Sequence, residues 1–310
     1  ADMKLFNRSL KEMRYAAKVF RNYASARKIA VFGSARTAPG EPEYEAAERF
    51  AARMCDENFM IITGGGDGIM GAAQKGAGRE RSFGLNIRLP FEQQANETIQ
   101  GDPKLINFNY FFTRKLNFLK ETHAIALFPG GFGTMDEGFE TLTLMQTGKA
   151  RIMPLVFVDK PQGHYWSSWL HFLEEFLLKY GLISEDDFHL FKVTEDVDEA
   201  VEEVLGFYRN YHSYRWVGER MAIRIARPLT AGALRDLNAQ FAGDLESGGI
   251  EQGEALPEER NEEELLPLKR IVLRPKRQNF GRLRLLIDSI NQAPTEAGVT
   301  AASAPPDSEI

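Results

Sequence analysis

Cysteine occurs once in the 310 residues, at Cys55, so the chain forms no internal disulfide and must be held by a packed core. Cys55 lies in an alanine-rich helical stretch, where a small packed thiol is expected. No apolar run is long enough to cross a bilayer, and the first residues lack a secretory signal core. A cytoplasmic protein without a membrane partner is therefore expected. His164, His171, His189 and His212 are scattered, with no neighbouring acids or thiols at ligand spacing, so no metal is expected. Nor is there an excess of positive charge. A net charge of −6 argues against a general nucleic-acid binder, unless a local basic patch overrides it. What is present, 43% hydrophobic and 26% charged residues, is enough for one large globular domain and a smaller one.

The chemistry gathers at two glycine loops. Ala124 to Phe128 reads as a strand buried on both faces, ending in Pro129-Gly130-Gly131-Phe132-Gly133, with a helix opening at Thr134. Gly130, Gly131 and Gly133 let the chain turn and leave backbone N–H groups bare. With the positive end of the helix, they make a seat for phosphate. Asp136 and Glu137 then fall in the first helical turn. The same residues fit a capping box, Thr134 capping the helix and Glu137 reaching back, and local pattern does not choose between the two readings.

The second loop lies upstream. Asn58 to Thr63 reads as a strand, followed by Gly64-Gly65-Gly66-Asp67-Gly68-Ile69-Met70-Gly71 and a small-residue helix. Gly66 to Gly71 spells GxGxxG, the dinucleotide fingerprint. The acid expected on the ribose, ~20 residues further on, is missing from Asn86-Ile87-Arg88, which discounts a nicotinamide cofactor. Neither loop is followed by Gly-Lys-Ser/Thr, so neither is a Walker A loop.

GGGDGIMG and PGGFGTMDE in this order, with Arg114-Lys115 between them, resemble the LOG family of phosphoribohydrolases, long labelled lysine decarboxylase-like. The resemblance covers roughly residues 28 to 211. It implies a Rossmann-like fold and hydrolysis of the N-glycosidic bond of a nucleoside 5′-monophosphate to free base and ribose 5-phosphate, without a cofactor. It implies Arg114 and Glu137 as the catalytic pair and at least a homodimer. Gly64, Gly65, Gly66, Gly68, Gly130, Gly131, Gly133, Thr134, Lys115 and Asp136 would hold substrate and its phosphate. The decarboxylase label would need a pyridoxal phosphate lysine with its supporting residues, and no such pattern stands out. On local grounds Arg114 is simply an arginine in a first helical turn, where the dipole disfavours a cation.

Along the chain, residues 1–26 read as a helical arm with Leu10, Met13, Ala17 and Phe20 on one stripe, docking on its own domain or on a partner. Residues 27–212 alternate strands and helices, which implies a doubly wound, mostly parallel α/β sheet with both glycine loops at strand carboxyl ends. The first strand, Lys28 to Phe32, ends at Gly33-Ser34-Ala35-Arg36, where Ser34 and Arg36 either contact ligand or belong to a solvated turn. Leu105 to Phe112 reads as a strand with Thr113 capping the helix that follows. Residues 213–291 read as a small α+β module. Its segment 244–264 holds nine acids and one base, a solvated or flexible loop by composition. Lys269 to Arg284 holds seven basic residues and no acid, which is either a solvated face or an anion sensor. Residues 292–310, rich in Ala, Pro, Thr and Ser, are expected to be disordered. A nucleotide or molybdenum-cofactor carrier without turnover would need the loops but not the Arg114–Glu137 pair.

Overall fold

A run of buried positions, Lys28–Phe32, forms β1, the strand on which the larger sheet is built. β2 (Met60–Thr63) lies on one side of it and β5 (Ala124–Leu127) on the other, both parallel. The computed structural model describes residues 2–89, 94–276 and 279–296. Adding β3 (Ser82–Ile87), β4 (Leu105–Phe108), β6 (Leu155–Val158) and β7 (Lys192–Thr194) gives seven parallel strands in the order β4-β3-β2-β1-β5-β6-β7. This is the doubly wound Rossmann-like sheet expected from the sequence. Strand order reverses beside β1, and open α/β sheets bind ligands at such a switch point.

The helices of this unit are α1 (Asp2–Arg21), α2 (Pro42–Asp56), α3 (Ile69–Ala77), α4 (Phe111–Glu121), α5 (Phe132–Gln146), α6 (Tyr165–Phe172) and the start of α7 (Val197–Phe207). α6 runs on into a π-helical segment, Leu173–Leu178. α1 packs on α4 of its own unit, but through only part of the expected stripe, Met13 and Phe20. It buries Glu12, Ala16 and Phe20, while Leu10 is 70% exposed and Ala17 faces solvent. Phe20 stacks on Phe83 at 4.7 Å, which fixes the helix rotation one position away from the apolar count.

Two helix starts also differ from expectation, each by two residues or more. α4 begins at Phe111, so Phe111 and Phe112 leave the strand and Thr113 sits inside the first turn rather than at its cap. α5 begins at Phe132 with Gly131 as N-cap and no capping side chain, so the Thr134–Glu137 capping box does not form. Asp136 and Glu137 lie beyond the first turn, and Glu137 is left available for other contacts.

The chain divides into two compact units. One comprises residues up to Ser184 together with Phe191–Glu203; the other comprises Glu185–Leu190 and the chain from Val204 onward. The boundary thus falls near 204 rather than 212, because β8 (Tyr211–Val217) pairs with β9 (Arg220–Ile225) of the second unit. That unit is an antiparallel sheet, β10-β11-β9-β8, with β10 (Glu251–Gly253), β11 (Lys269–Leu273), α8 (Ala231–Phe241) and α9 (Phe280–Gln292). Its acidic segment is solvated along most of its length, as expected, but it is tied down at one point. Glu259 is fully buried and accepts hydrogen bonds from Arg224 (2.8 and 2.9 Å) and Arg270 (2.9 Å), Arg270 itself being fully buried. Residues 292–296 are ordered too: Thr295 bridges Leu229, and Glu296 N–H donates to Pro228 O at 2.8 Å. The rest of the segment expected to be disordered, 297–310, lies outside the described residues.

Candidate active site

Ser34 joins the two glycine loops. Its N–H donates to Pro129 O at 3.0 Å, and its carbonyl accepts from Ile69 N–H at 2.9 Å, at the start of α3. A Cβ on Gly68, whose φ is +65°, would fall 2.2 Å from Ser34 O, and one on Gly130 would fall 3.0 Å from Ser34 N and 2.1 Å from Thr134 Oγ1. Only glycine permits these approaches. Ser34 Oγ accepts from Arg36 N–H at 3.1 Å, an ordering role within its own turn, and Arg36 is exposed.

The Gly64–Gly68 loop is held from outside by a residue the sequence did not single out. Asn96 is 7% exposed and its Nδ2 donates to Gly65 O (3.1 Å) and Gly66 O (2.8 Å). Lying in an aperiodic polar segment, Asn96 gave no pattern signal. Tyr165 is a second such residue, its hydroxyl donating to Gly130 O. On the α5 side Gly131 and Gly133 are exposed, and a Cβ on either would meet nothing within 4 Å. As at any helix start, the N–H groups of Phe132 and Gly133 have no partner within the helix. They lie in an exposed stretch at the positive helix end, which suits an anion.

About one helical turn, some 5 Å, beyond Thr134 stands Glu137. Its side chain is 6% exposed and Arg114 Nη2, 15% exposed, lies 3.7 Å from its Oε1. Burial pushes the Glu137 carboxyl up from the usual range to about 7, against the pull of Arg114 and Lys115. Burial also pulls Arg114 below its ordinary value, opposed by Glu137 and Asp136. For both groups desolvation outweighs the pairing. Arg114 lies over the rings of Phe111 (5.3 Å) and Phe118 (5.8 Å). Lys115 is turned toward α5, pairing with Asp136 (2.8 Å) and Glu140 (3.0 Å). Burial lowers the Lys115 pKa, but these hydrogen bonds outweigh it and leave the ammonium above its ordinary value. Lys115 and Asp136 are therefore each other's partners. Among the described residues no group of acids, histidines and cysteine gathers as a metal site.

The second unit has a cavity of about 110 Å³, walled by Trp216, Phe241, Leu273 and Leu286. Its Arg282 is tied to Asp244 at 2.8 Å, and its lining is mostly apolar. A buried acid–cation couple beside an exposed helix N-terminus is found in the first unit.

Fold and loops together define a Rossmann-like domain with two glycine loops at strand carboxyl ends and a perturbed carboxylate one turn into α5. Residues 70–204 match the family described as possible lysine decarboxylase. Cytokinin riboside 5′-monophosphate phosphoribohydrolase LOG1 of Arabidopsis thaliana is 24% identical over 186 residues, covering 57% of this chain and 82% of the relative. Both matches support the LOG-family resemblance carried by the two glycine loops. Among solved structures, the molybdenum cofactor binding protein of Rippkaea orientalis aligns at 16% identity over 57% of this chain and 94% of its own, with a TM-score of 0.39. The molybdenum cofactor carrier protein of Chlamydomonas reinhardtii aligns at 21% identity over 58% and 98%, with a TM-score of 0.37. The fold rests on the strand order rather than on these alignments. No helix among the described residues is long and apolar enough to cross a membrane.

Proposed function

We propose that the protein hydrolyses the N-glycosidic bond of a nucleoside 5′-monophosphate, releasing the free base and ribose 5-phosphate. The observation that carries this reading is the Arg114–Glu137 couple, buried and 3.7 Å apart, one turn beyond an open helix N-terminus. The 5′-phosphate sits on the N–H groups of Phe132 and Gly133, with Thr134 and the Gly64–Gly68 loop closing around it. Arg114 positions the substrate from the α4 side. Cleavage of the glycosidic bond develops positive charge on the ribose, and the ionised Glu137 carboxylate stabilises it and orients the attacking water. Lys115 keeps Asp136 and Glu140 paired, so that Glu137 is the acid left to face the ribose. The name of the Arabidopsis relative specifies a cytokinin ribotide, and AMP or a prenylated AMP is the substrate proposed here. On the same resemblance we propose a cytoplasmic homodimer or higher homo-oligomer with no nucleic-acid partner, which light scattering and gel shift would test.

The test is base release. The protein is incubated with AMP, GMP, CMP, UMP and a prenylated AMP, and free base is quantified by chromatography, with Glu137→Gln alongside. Release from a monophosphate but not from its nucleoside, lost in the variant, supports the reading. Nucleotide binding without release from any of them overturns it in favour of a carrier.

A further inference from the structure

The helix that bears Arg114 has no cap of its own. Its N-cap, Tyr110, makes no capping side-chain hydrogen bond, and its first turn contains no acid. Arg114 there places a cation near the positive end of a helix, an unfavourable arrangement without compensation. Compensation comes from a hundred residues away, from α1. Glu12 is 9% exposed, and its Oε1 accepts from Asn109 N–H (2.9 Å) and Asn109 Nδ2 (2.7 Å). Its Oε2 accepts from Thr113 Oγ1 at 2.6 Å. One carboxylate thus takes three donors around the start of α4, and its charge complements the helix end.

Arg114 has little else to locate it. Among the described residues its buried Nε has no hydrogen-bond partner, and the Glu137 contact at 3.7 Å is an ion pair rather than a short hydrogen bond. Its flanking rings, Phe111 and Phe118, belong to α4 itself. The guanidinium therefore goes where the first turn of α4 goes. We propose that Glu12 is a positioning residue, a carboxylate from the N-terminal helix of the same chain that ties down the start of α4 through Asn109 and Thr113 and so sets Arg114 against Glu137. This rests on the reading of Arg114 and Glu137 as the reacting pair.

Groups facing the Glu137 carboxyl are Arg114 and Lys115 from α4 and Asp136 and Glu140 from its own helix. Of these, Arg114 exerts the largest opposing pull, so loosening α4 should raise the Glu137 pKa further. The experiment uses the full chain with Glu12→Ala, Glu12→Gln and Thr113→Val, the last removing one donor and leaving the charge in place. Glu137 is titrated by carbon NMR on glutamate-labelled protein, with Glu137→Gln used to assign the signal. That readout exists whether or not base is released. Glu12→Ala is expected to raise the Glu137 midpoint by about half a unit or more. The same variant should lower kcat for base release by ~10- to 100-fold, with KM changed far less. Glu12→Gln, which keeps an acceptor oxygen, should recover part of both effects, and Thr113→Val should show a smaller shift if Glu12→Ala does not fold. A lowered melting temperature with an unmoved Glu137 midpoint would make Glu12 a merely structural contact and overturn the proposal. Wild-type protein that releases no base, yet shows the Glu137 shift in Glu12→Ala, would overturn the hydrolase reading and leave the positioning role standing.

Discussion

Arg114 and Glu137 stand 3.7 Å apart on two different helices, and burial nonetheless raises the acid and lowers the base. A surface pair at that distance would hold both groups in their charged forms. Here the low-dielectric setting leaves the Glu137 carboxyl at about 7, within reach of protonation near neutral pH.

The first prediction follows for activity. The ionised carboxylate is the form that stabilises positive charge on the ribose, so base release should rise with pH through a single ionisation near 7. A rate profile from pH 5 to 9 checks it. A flat profile would remove Glu137 from the chemistry.

Stability should move the other way. The folded protein holds the Glu137 proton more tightly than the unfolded chain does, 7 against 4.5. Stability contributed by the protonated form is complete below pH 4.5 and is lost as pH rises to 7 and above. At pH 8 the ionised group costs the fold up to roughly 3 kcal/mol, the attraction to Arg114 being already contained in that shift. Glu137→Gln should therefore be inactive yet more stable than the parent at pH 8, with the gain disappearing near pH 4.5. Denaturant unfolding at both pH values measures this.

Glycines in the same loop should behave oppositely. Gly130→Ala would place a Cβ 2.1 Å from Thr134 Oγ1 and 3.0 Å from Ser34 N, and it is expected to disrupt the loop and lower the melting temperature. Gly133→Ala meets nothing within 4 Å and lies in a helix, so it should be neutral or stabilising by up to ~1 kcal/mol. If phosphate lies on the Gly133 N–H, that variant should still raise KM.

In the second unit, Glu259→Ala should cost about 3–5 kcal/mol, because it strands two buried arginines, Arg224 and Arg270. Burial pushes the Glu259 carboxyl up, but its hydrogen bonds from Arg270, Leu256 and Arg224 outweigh this and hold it below 4.5. Its contribution is present above that value and is lost as pH falls below it. Urea unfolding at pH 7 and pH 3.5 should show the variant's deficit shrinking in acid.

Much of this was legible beforehand. β1 over Lys28–Phe32 and the strand opening at Ala124 follow directly from their buried apolar runs, and the parallel sheet follows from alternation of strand and helix. Gly68 and Gly130, one from each loop, do meet on Ser34, and Arg114 stands beside Glu137. The parts that were not legible depend on distant partners. Leu10 looked like core by period, yet α1 turns on Phe20 stacking against Phe83. Thr134 and Glu137 have a capping-box spacing, but the helix starts two residues earlier, at Phe132. Glu12, Asn96 and Glu259 are polar residues whose burial no local pattern announces, since each is satisfied by groups far away in sequence.

The position of β1 between β2 and β5 also carries a temporal consequence. β1 pairs with β2 about thirty residues on, through Lys28 and Met60, but meets β5 only after Ile29 finds Ala124. Closing that much longer loop is the slower event. On a growing chain the Gly64–Gly68 turn emerges early, whereas Gly130 and Glu137 arrive about two-thirds of a hundred residues later. Until then the first turn has no second wall, and the nascent protein is expected to be blind to nucleotide. A ligand spanning both turns would act as a latch on the later of β1's two pairings, slowing the parting of β1 from β5 while barely changing how fast they first meet.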